Sequence, residues 1–328
     1  MEKRTNKSKK INTKKKNTTI NKKNTNNKYI IIELILLILI VATILGIKSF
    51  TNKTKTIKND YKKAQLLLKD NNNKTKDLLQ KEKEYNDIDN SLTNTRDEFF
   101  NTLKQLEDDI INDKTDRKIA YLTFDDGPYF NTYTVLDILD KYDVKATFFT
   151  ISMNGQYCYD NKGADCFQLY KEYVKRGHTI ANHTYTHGIF KGLYDNADNF
   201  MDAVIRQEEQ IKTQTGGYTP RIVRFPGGSG TATARQKVSN LKEQIINRLR
   251  ERGYGYVDWT AMDGDGGSIT EEQGWEKLKA SLDNDLEVVL LHDYSKVTTK
   301  LLPEFIEYIK GQGYEMYPLF YESNMIKK

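Results

Sequence analysis

Apolar and polar positions follow four different patterns along the 328 residues of the chain. Residues 1–28 contain almost no apolar side chains, whereas residues 29–47 are almost entirely apolar. Between 51 and 116, apolar side chains recur at alternating spacings of four and three residues. From residue 117 onward, short apolar runs alternate with longer amphipathic stretches. These changes predict four segments with boundaries near residues 28, 48 and 116.

The last segment, residues 117–328, has the pattern of an alternating α/β fold. Strands that alternate with helices form parallel sheets with right-handed crossovers. Seven strands, one fewer than in the common eight-stranded barrel, favour a distorted seven-stranded (β/α) barrel over an open sheet. The predicted strands are 118–124, 145–151, 178–182, 221–225, 254–258, 287–292 and 314–318. The predicted helices are 132–142, 167–176, 198–214, 234–252, 271–283 and 299–311.

The apolar run at residues 29–47 predicts a membrane-spanning helix. Nineteen residues at a rise of ~1.5 Å extend roughly 28 Å, close to the hydrocarbon thickness of a bilayer. A cleaved signal peptide is the alternative, but the run is long for one and no clear small-residue cleavage pattern follows it. We expect residues 29–48 to be a retained transmembrane helix.

The charge of the preceding residues predicts the orientation of this helix. Residues 1–28 carry eleven Lys and Arg and one acidic residue, whereas the whole chain has a net charge of only +6. Lys-rich flanks stay in the cytoplasm, so we expect 1–28 to be a disordered cytoplasmic tail in a single-pass protein of the cell membrane. Everything after residue 48 is then extracellular. Because the rest of the chain is net acidic, nucleic acid is not an expected partner.

Residues 49–116 are the predicted stalk. Residues 51–116 lack Pro and Gly, and the 4–3 seam, which includes Phe99, Leu103 and Ile110, predicts a long helix or weak coiled coil. Such a stalk would hold the domain away from the membrane, with a homodimer as one arrangement. A helix that folds back on the domain is the alternative.

The only cysteines are Cys158 and Cys166. Their spacing is unlike that of metal-ligand pairs, and an extracellular location permits a disulfide. We expect a loop-closing disulfide, with two free thiols as the alternative.

Candidate catalytic residues follow the predicted strands, at the edge where α/β folds carry their chemistry. Asp125 and Asp126 end the first strand, and His183 and His187 follow the third. Two imidazoles four residues apart share a face if the segment is helical. With Asp126 they make a two-His, one-carboxylate metal set. Asp125 stays available to take a proton, although adjacent acids on a turn are also common as solvated groups.

Two further clusters follow later strands. Arg224 can pin a carboxylate, and Pro226 and Gly227 allow the backbone to approach a ligand, so that the Gly227 amide becomes a candidate oxyanion donor. An ordinary tight turn is the alternative. His292 ends a wholly apolar strand and is a candidate general acid. Asp265 or Asp263 is close enough in strand order to partner it and to raise its pKa.

In chain order these clusters read Thr-Phe-Asp-Asp-Gly-Pro, His-Thr-x-x-His, Arg-x-Pro-x-Gly and Leu-x-His. The ordered set resembles the polysaccharide deacetylases, the NodB-homology family of metal-dependent carbohydrate esterases. The resemblance covers about residues 117–320. It implies a distorted seven-stranded barrel, a divalent metal, usually zinc, and removal of acetyl groups from N-acetylated sugars.

The resemblance also implies a role for each matching residue. The metal ligands are Asp126, His183 and His187. The catalytic base is Asp125, oriented by Arg224, and the acid is His292. Gly227, which follows Pro226, lends its amide to the oxyanion. The fourth family motif departs from the pattern, because Gly266 rather than tryptophan follows Asp265. We therefore expect a more open or differently shaped groove there, with Asp265 as a weaker candidate partner of His292.

An external, tethered deacetylase most naturally meets cell-wall glycan, so N-acetylglucosamine in peptidoglycan is the expected substrate. Other N-acetylated polymers and muramic acid units are alternatives within the class. A non-catalytic glycan-binding protein with the same fold is the alternative outside it.

Overall fold

The computed structural model describes residues 97–152 and 166–328. The predicted cytoplasmic tail, the transmembrane segment, most of the stalk and Cys158 lie outside these residues, so the expectations about them stay predictions. Within the described ranges, no helix combines the length and the apolar character that crossing a bilayer requires.

Strands and helices alternate through the described residues, as the sequence predicts. A helix at 97–111, α1, precedes the first strand. The elements that follow are β1 (Lys118–Asp125), α2 (Thr132–Lys141), β2 (Thr147–Thr150), α3 (Cys166–Lys175), β3 (Thr179–Asn182), α4 (Ala197–Thr215), β4 (Ile222–Val223), α5 (Ser229–Ala234), α6 (Leu241–Glu251), β5 (Gly255–Tyr256), β6 (Ala261–Met262), α7 (Glu271–Ser281), β7 (Leu286–His292), α8 (Lys296–Gly311) and β8 (Tyr314–Met316).

The strands form one parallel sheet in the order β5-β4-β3-β2-β1-β7-β6, and β8 pairs with the start of β1. This arrangement fits a distorted (β/α) barrel. No ladder joins β5 to β6 among the described residues. Instead, Tyr256 of β5 exchanges two backbone hydrogen bonds of 2.8 Å with Lys327 near the C-terminus. The C-terminal residues thus cover the edge of β5.

Two details of the predicted elements are wrong. Met262 belongs to an additional two-residue strand, β6, which pairs with β7. The predicted helix 234–252 begins only at Leu241, as α6, because the polar residues before it form turns and Asn240 adopts a left-handed conformation with φ 55°. The short helix α5 precedes it and was not predicted. The seven predicted strands and the other five predicted helices are present, with ends that differ by a few residues.

Helix α1 packs against the domain, although its sequence fits the predicted stalk. Its seam residues Leu103, Leu106 and Ile110 are buried in the same cluster as Tyr121 of β1 and Phe320. The apolar seam of residues 97–111 is therefore used by the domain rather than by a second copy of the chain.

A buried acid ties α1 to the sheet. Glu107 is fully buried, and its Oε1 accepts hydrogen bonds of 2.5 Å from both the Tyr121 hydroxyl and the Ser323 hydroxyl. Its Oε2 accepts a third from the Asn324 backbone N–H at 2.6 Å. Residues 97–111 therefore belong to the folded body, which begins before the predicted boundary at residue 117.

The alternation of side chains along β1 positions the site. Ala120, Leu122 and Phe124 pack in one core cluster, whereas Ile119 and Tyr121 point to the opposite face and pack in another. Thr123 and Asp125 continue that second face, since side chains alternate along a strand. Asp125 is consequently held inside the barrel at the C-terminal end of β1.

Candidate active site

Asp125 and Arg224 form a buried ion pair in the centre of the site. The Arg224 Nη1 donates to Asp125 Oδ1 at 2.8 Å and to the Thr123 hydroxyl at 2.7 Å. The guanidinium also donates to two backbone carbonyls and packs on the Phe149 ring. Burial raises the pKa of the Asp125 carboxyl, and the charge of Arg224 opposes that rise. Arg224 thus fixes one carboxylate oxygen and leaves Oδ2 facing the site.

Asp126, His183 and His187 meet beside this pair. Asp126 Oδ1 lies 3.6 Å from His183 Nε2 and 3.7 Å from His187 Nε2. This oxygen is buried and has no hydrogen-bond partner among the described residues. The three side chains are the one group of potential metal ligands that converge in the described part of the chain. Their donor set and the orphaned oxygen fit a divalent metal ion such as zinc.

The protonation of His183 also suits a metal ligand. Its Nδ1 lies 2.8 Å from the Arg224 carbonyl, so we assign the Nδ1 hydrogen to this contact, which leaves the Nε2 lone pair directed at Asp126. Burial, together with the charge of His187, lowers the pKa of His183 to about 3. His183 is therefore neutral at neutral pH.

The two histidines do not share a helical face, which was the sequence-based reason for pairing them. The segment is a loop in which Thr184 and His187 have φ of 65° and 49°. Asp126 is also left-handed, with φ 71°. These sparsely populated conformations bring the ligands together, and strain of this kind is frequent at functional sites.

His292 stands on the other side of Asp126, with Asp265 behind it. The His292 Nδ1 lies 2.6 Å from Asp265 Oδ1, and the His292 backbone N–H donates to Asp265 Oδ2 at 2.8 Å. Burial disfavours the imidazolium, but the hydrogen bond and charge of Asp265 outweigh burial and raise the pKa of His292 to about 9. Of the two predicted candidates, Asp265 is the residue that contacts the ring. Asp263 lies against Thr298 instead.

The Pro226–Gly227 turn forms another wall of the site. Gly227 has φ 73°, and a Cβ there would lie 2.9 Å from the Thr231 hydroxyl and 3.2 Å from Ile189. The Gly227 N–H makes no hydrogen bond to any described residue, whereas the Pro226 carbonyl accepts from the Tyr194 hydroxyl at 2.8 Å. A free amide on a fixed turn agrees with the predicted oxyanion donor.

The wall next to His292 differs from the family motif, as expected. A Cβ on Gly266 would lie 3.3 Å from His292 Cε1, which is a tight contact, so the imidazole ring itself packs closely over the glycine. Trp259 lies elsewhere, because its indole packs over Gly228. Tyr294 contributes an aromatic surface instead, with its ring centroid 5.0 Å from that of His292.

Sequence reasoning missed three residues of the site: Thr123, Tyr294 and Thr298. Thr123 precedes Asp125 by two positions, which places it on the same strand face. Tyr294 and Thr298 lie just after His292, where a strand end turns into α8. Proximity to a motif was the only available signal for them. Cys166 begins α3 and is buried; its predicted partner Cys158 lies outside the described residues, so their pairing stays a prediction.

Comparisons with known proteins agree with this geometry. The sequence model described as polysaccharide deacetylase matches residues 112–246. A peptidoglycan-N-acetylglucosamine deacetylase of Bacillus cereus is 29% identical over 215 residues, which is 64% of this chain and 72% of the relative. A Listeria monocytogenes enzyme of the same description is 30% identical over 203 residues, 62% of this chain but only 38% of the relative.

Among solved structures, the catalytic domain of a peptidoglycan N-acetylglucosamine deacetylase from Eubacterium rectale is 33% identical, with a TM-score of 0.57. The match covers 65% of this chain and 93% of that domain. The chain belongs to the polysaccharide deacetylase family, whose enzymes are hydrolases that act on N-acetyl amides.

Proposed function

We propose that this protein is a zinc-dependent deacetylase that removes the acetyl group from N-acetylglucosamine units of peptidoglycan. The observation that carries the proposal is the position of Asp126. Its orphaned Oδ1 faces two histidine nitrogens, and a base and an acid held by separate buried partners flank it.

The metal set supports zinc and a water-activating role. Asp126, His183 and His187 would hold the ion and leave coordination positions open. Bound there, a zinc ion supplies Lewis acidity, which acidifies water and polarises a carbonyl oxygen.

The residues of the chain divide the proton transfers between them. Asp125 takes a proton from the attacking water while Arg224 holds its other oxygen in place. The amide carbon becomes tetrahedral, and its oxygen accepts a hydrogen bond from the Gly227 N–H, a contact worth about 3–4 kcal/mol. His292 then gives its Nε2 proton to the sugar nitrogen, the C–N bond breaks, and acetate leaves.

Relatives support peptidoglycan as the substrate, since the Bacillus cereus and Listeria monocytogenes proteins are both described as peptidoglycan-N-acetylglucosamine deacetylases. The predicted transmembrane segment supports an extracellular domain anchored at the cell membrane, where this polymer lies. The Tyr294 ring beside His292 offers an aromatic surface against which a sugar ring can pack.

The substrate is tested by incubating the full chain with peptidoglycan and, separately, with chitooligosaccharides. Mass spectrometry of the digested products locates each new free amine on glucosamine or on muramic acid. We expect new amines on peptidoglycan glucosamine, and none from an Asp125→Asn variant. Exposed Asp202 provides the matched control, Asp202→Asn. Deacetylation of chitooligosaccharides or of muramic acid alone would contradict the assigned substrate but keep the enzyme class.

A further inference from the structure

Behind His292, two carboxyl groups converge on one hydroxyl. Asp263 and Thr298 are fully buried and Asp265 is 4% exposed. The Thr298 Oγ1 lies 2.7 Å from Asp263 Oδ2 and 2.5 Å from Asp265 Oδ2. Both distances are those of hydrogen bonds between oxygen atoms. Each of these contacts therefore needs a hydrogen.

The available hydrogens are too few if both carboxyls are ionised. Thr298 Oγ1 has three oxygen neighbours, the third being the Ser295 hydroxyl at 2.9 Å. Thr298 and Ser295 each bring one hydroxyl hydrogen, so the two hydroxyls supply two hydrogens for three contacts. One of the two carboxyls must bring the third.

The surroundings assign that proton to Asp263. Asp265 accepts hydrogen bonds from the His292 backbone and lies against the His292 imidazole, so its charge is compensated. Asp263 accepts a hydrogen bond from the Asp265 backbone N–H at 3.1 Å, and its other oxygen lies 2.7 Å from the Thr298 hydroxyl oxygen. No ion pair joins Asp263 to a cation of the described chain; Lys277 of α7 lies over Gly264, on the exposed side of the turn.

The electrostatics agree with this assignment. Burial and the nearby charge of Asp265 raise the pKa of Asp263 to about 7. The pKa of Asp265 is lowered, because its hydrogen bond to His292 and the charge of His292 outweigh burial.

We propose that Asp263 is a positioning residue that carries a proton, donates it in a hydrogen bond to Thr298, and thereby aims the Thr298 hydroxyl at Asp265. The donor order is Asp263, Thr298, Asp265, with His292 donating to Asp265 from the other side. One negative charge rather than two then lies behind His292, so the ring remains acidic enough to give up its proton. This inference rests on the proposed role of His292 as the general acid.

Two substitutions of Asp263, made in the full, zinc-loaded chain, test whether this side chain is protonated or ionised. Asp263→Asn keeps an acceptor for the Asp265 N–H and a donor for Thr298, whereas Asp263→Leu keeps neither. We expect the leucine variant to lose roughly tenfold in kcat at unchanged KM, and the asparagine variant to recover most of that loss. Because Asp263 loses its proton at a pH below the alkaline limb set by His292, the variants are compared at about pH 6. An asparagine variant as impaired as the leucine variant at that pH would overturn the proposal.

Thermal unfolding provides a readout independent of activity, and so separates failure of this inference from failure of the proposed function. A carboxyl with a raised folded-state pKa contributes stability below the pKa of the unfolded state and loses it as pH rises through the folded-state pKa. The Tm of Asp263→Asn should therefore rise relative to wild type between about pH 4 and pH 7. A difference in Tm that is independent of pH would contradict a protonated Asp263.

Discussion

Asp125 and His292 lie directly opposite each other on the neighbouring strands β1 and β7. Each is held by its own buried partner, Arg224 for Asp125 and Asp265 for His292. Arg224 opposes the rise that burial causes in the pKa of the acid, and Asp265 raises the pKa of the histidine. Two adjacent strand ends thus supply a proton acceptor and a proton donor on either side of Asp126.

Replacing Asp265 should shift the alkaline limb of the pH–rate profile. His292 must be protonated to act as the acid, so the rate should fall as pH rises through about 9. In Asp265→Asn the pKa of His292 should fall toward its ordinary value of 6.5, which moves the limb to lower pH and reduces activity at neutral pH by up to roughly fourfold. The measurement is the pH profile of kcat/KM, with Asp202→Asn as the control. An unchanged alkaline limb would show that His292 is not the titrating acid.

Replacing Arg224 should shift the acidic limb of the pH–rate profile. Arg224→Met removes the positive charge that opposes the raised pKa of Asp125, so the ionised base should appear only at higher pH. The variant should also lose about 3–5 kcal/mol of stability, because a buried carboxylate loses its partner. Arg235→Met is the matched control, since Arg235 is exposed and stacks on Phe190. Equal pH profiles for the two variants would argue against Arg224 tuning the base.

Gly127 should be irreplaceable beside the metal ligands. A Cβ at this position would overlap the carboxyl of Asp293, which is fully buried and accepts a hydrogen bond from the Thr132 hydroxyl. Gly127→Ala should therefore displace Asp126, weaken zinc binding and lower Tm. Gly267→Ala, where a Cβ meets nothing within 4 Å, should leave both unchanged. Titration calorimetry measures the zinc affinity of both variants. Similar affinities would contradict the expected role of Gly127 in placing Asp126.

Helix α1 should stabilise the catalytic domain. Leu103→Ala removes a buried side chain and should cost about 2–5 kcal/mol. Ile111→Ala, at an exposed position of the same helix, should change stability by no more than about 0.5 kcal/mol. Urea unfolding of both variants measures the difference. Equal stabilities would mean that α1 is dispensable and that residue 117 is an adequate starting point for the domain.

The sequence predicted the strands, and the convergence of the candidate site residues, because both follow local rules. Long apolar runs such as β7 identify their own strands, and catalytic side chains collect where parallel strands end. The packing partner of α1 could not be predicted, since a seam with Phe99, Leu103 and Ile110 fits either a coiled coil or a helix packed on a domain. The burial of Glu107 depends on Ser323 and Asn324, more than 200 residues away in the sequence.

Within the site, the order of motifs identified residues but not their contacts. Asp263 and Asp265 are two positions apart and equivalent by sequence, and only the fold shows which of them contacts His292. The loop conformations of Asp126, Thr184 and His187 likewise depend on tertiary packing, because their left-handed φ angles are unfavourable for non-glycine residues. The sequence also did not predict that Trp259 packs on Gly228 rather than beside His292.

The most direct test of the central claim is acetate release from peptidoglycan by the full chain, measured before zinc removal, after chelation and after zinc is restored. We predict release that chelation abolishes and zinc restores, and none from Asp125→Asn under any condition. Release that persists after complete removal of metal, or that survives in Asp125→Asn, would contradict the assignment of Asp126, His183 and His187 as a metal centre with Asp125 as its base.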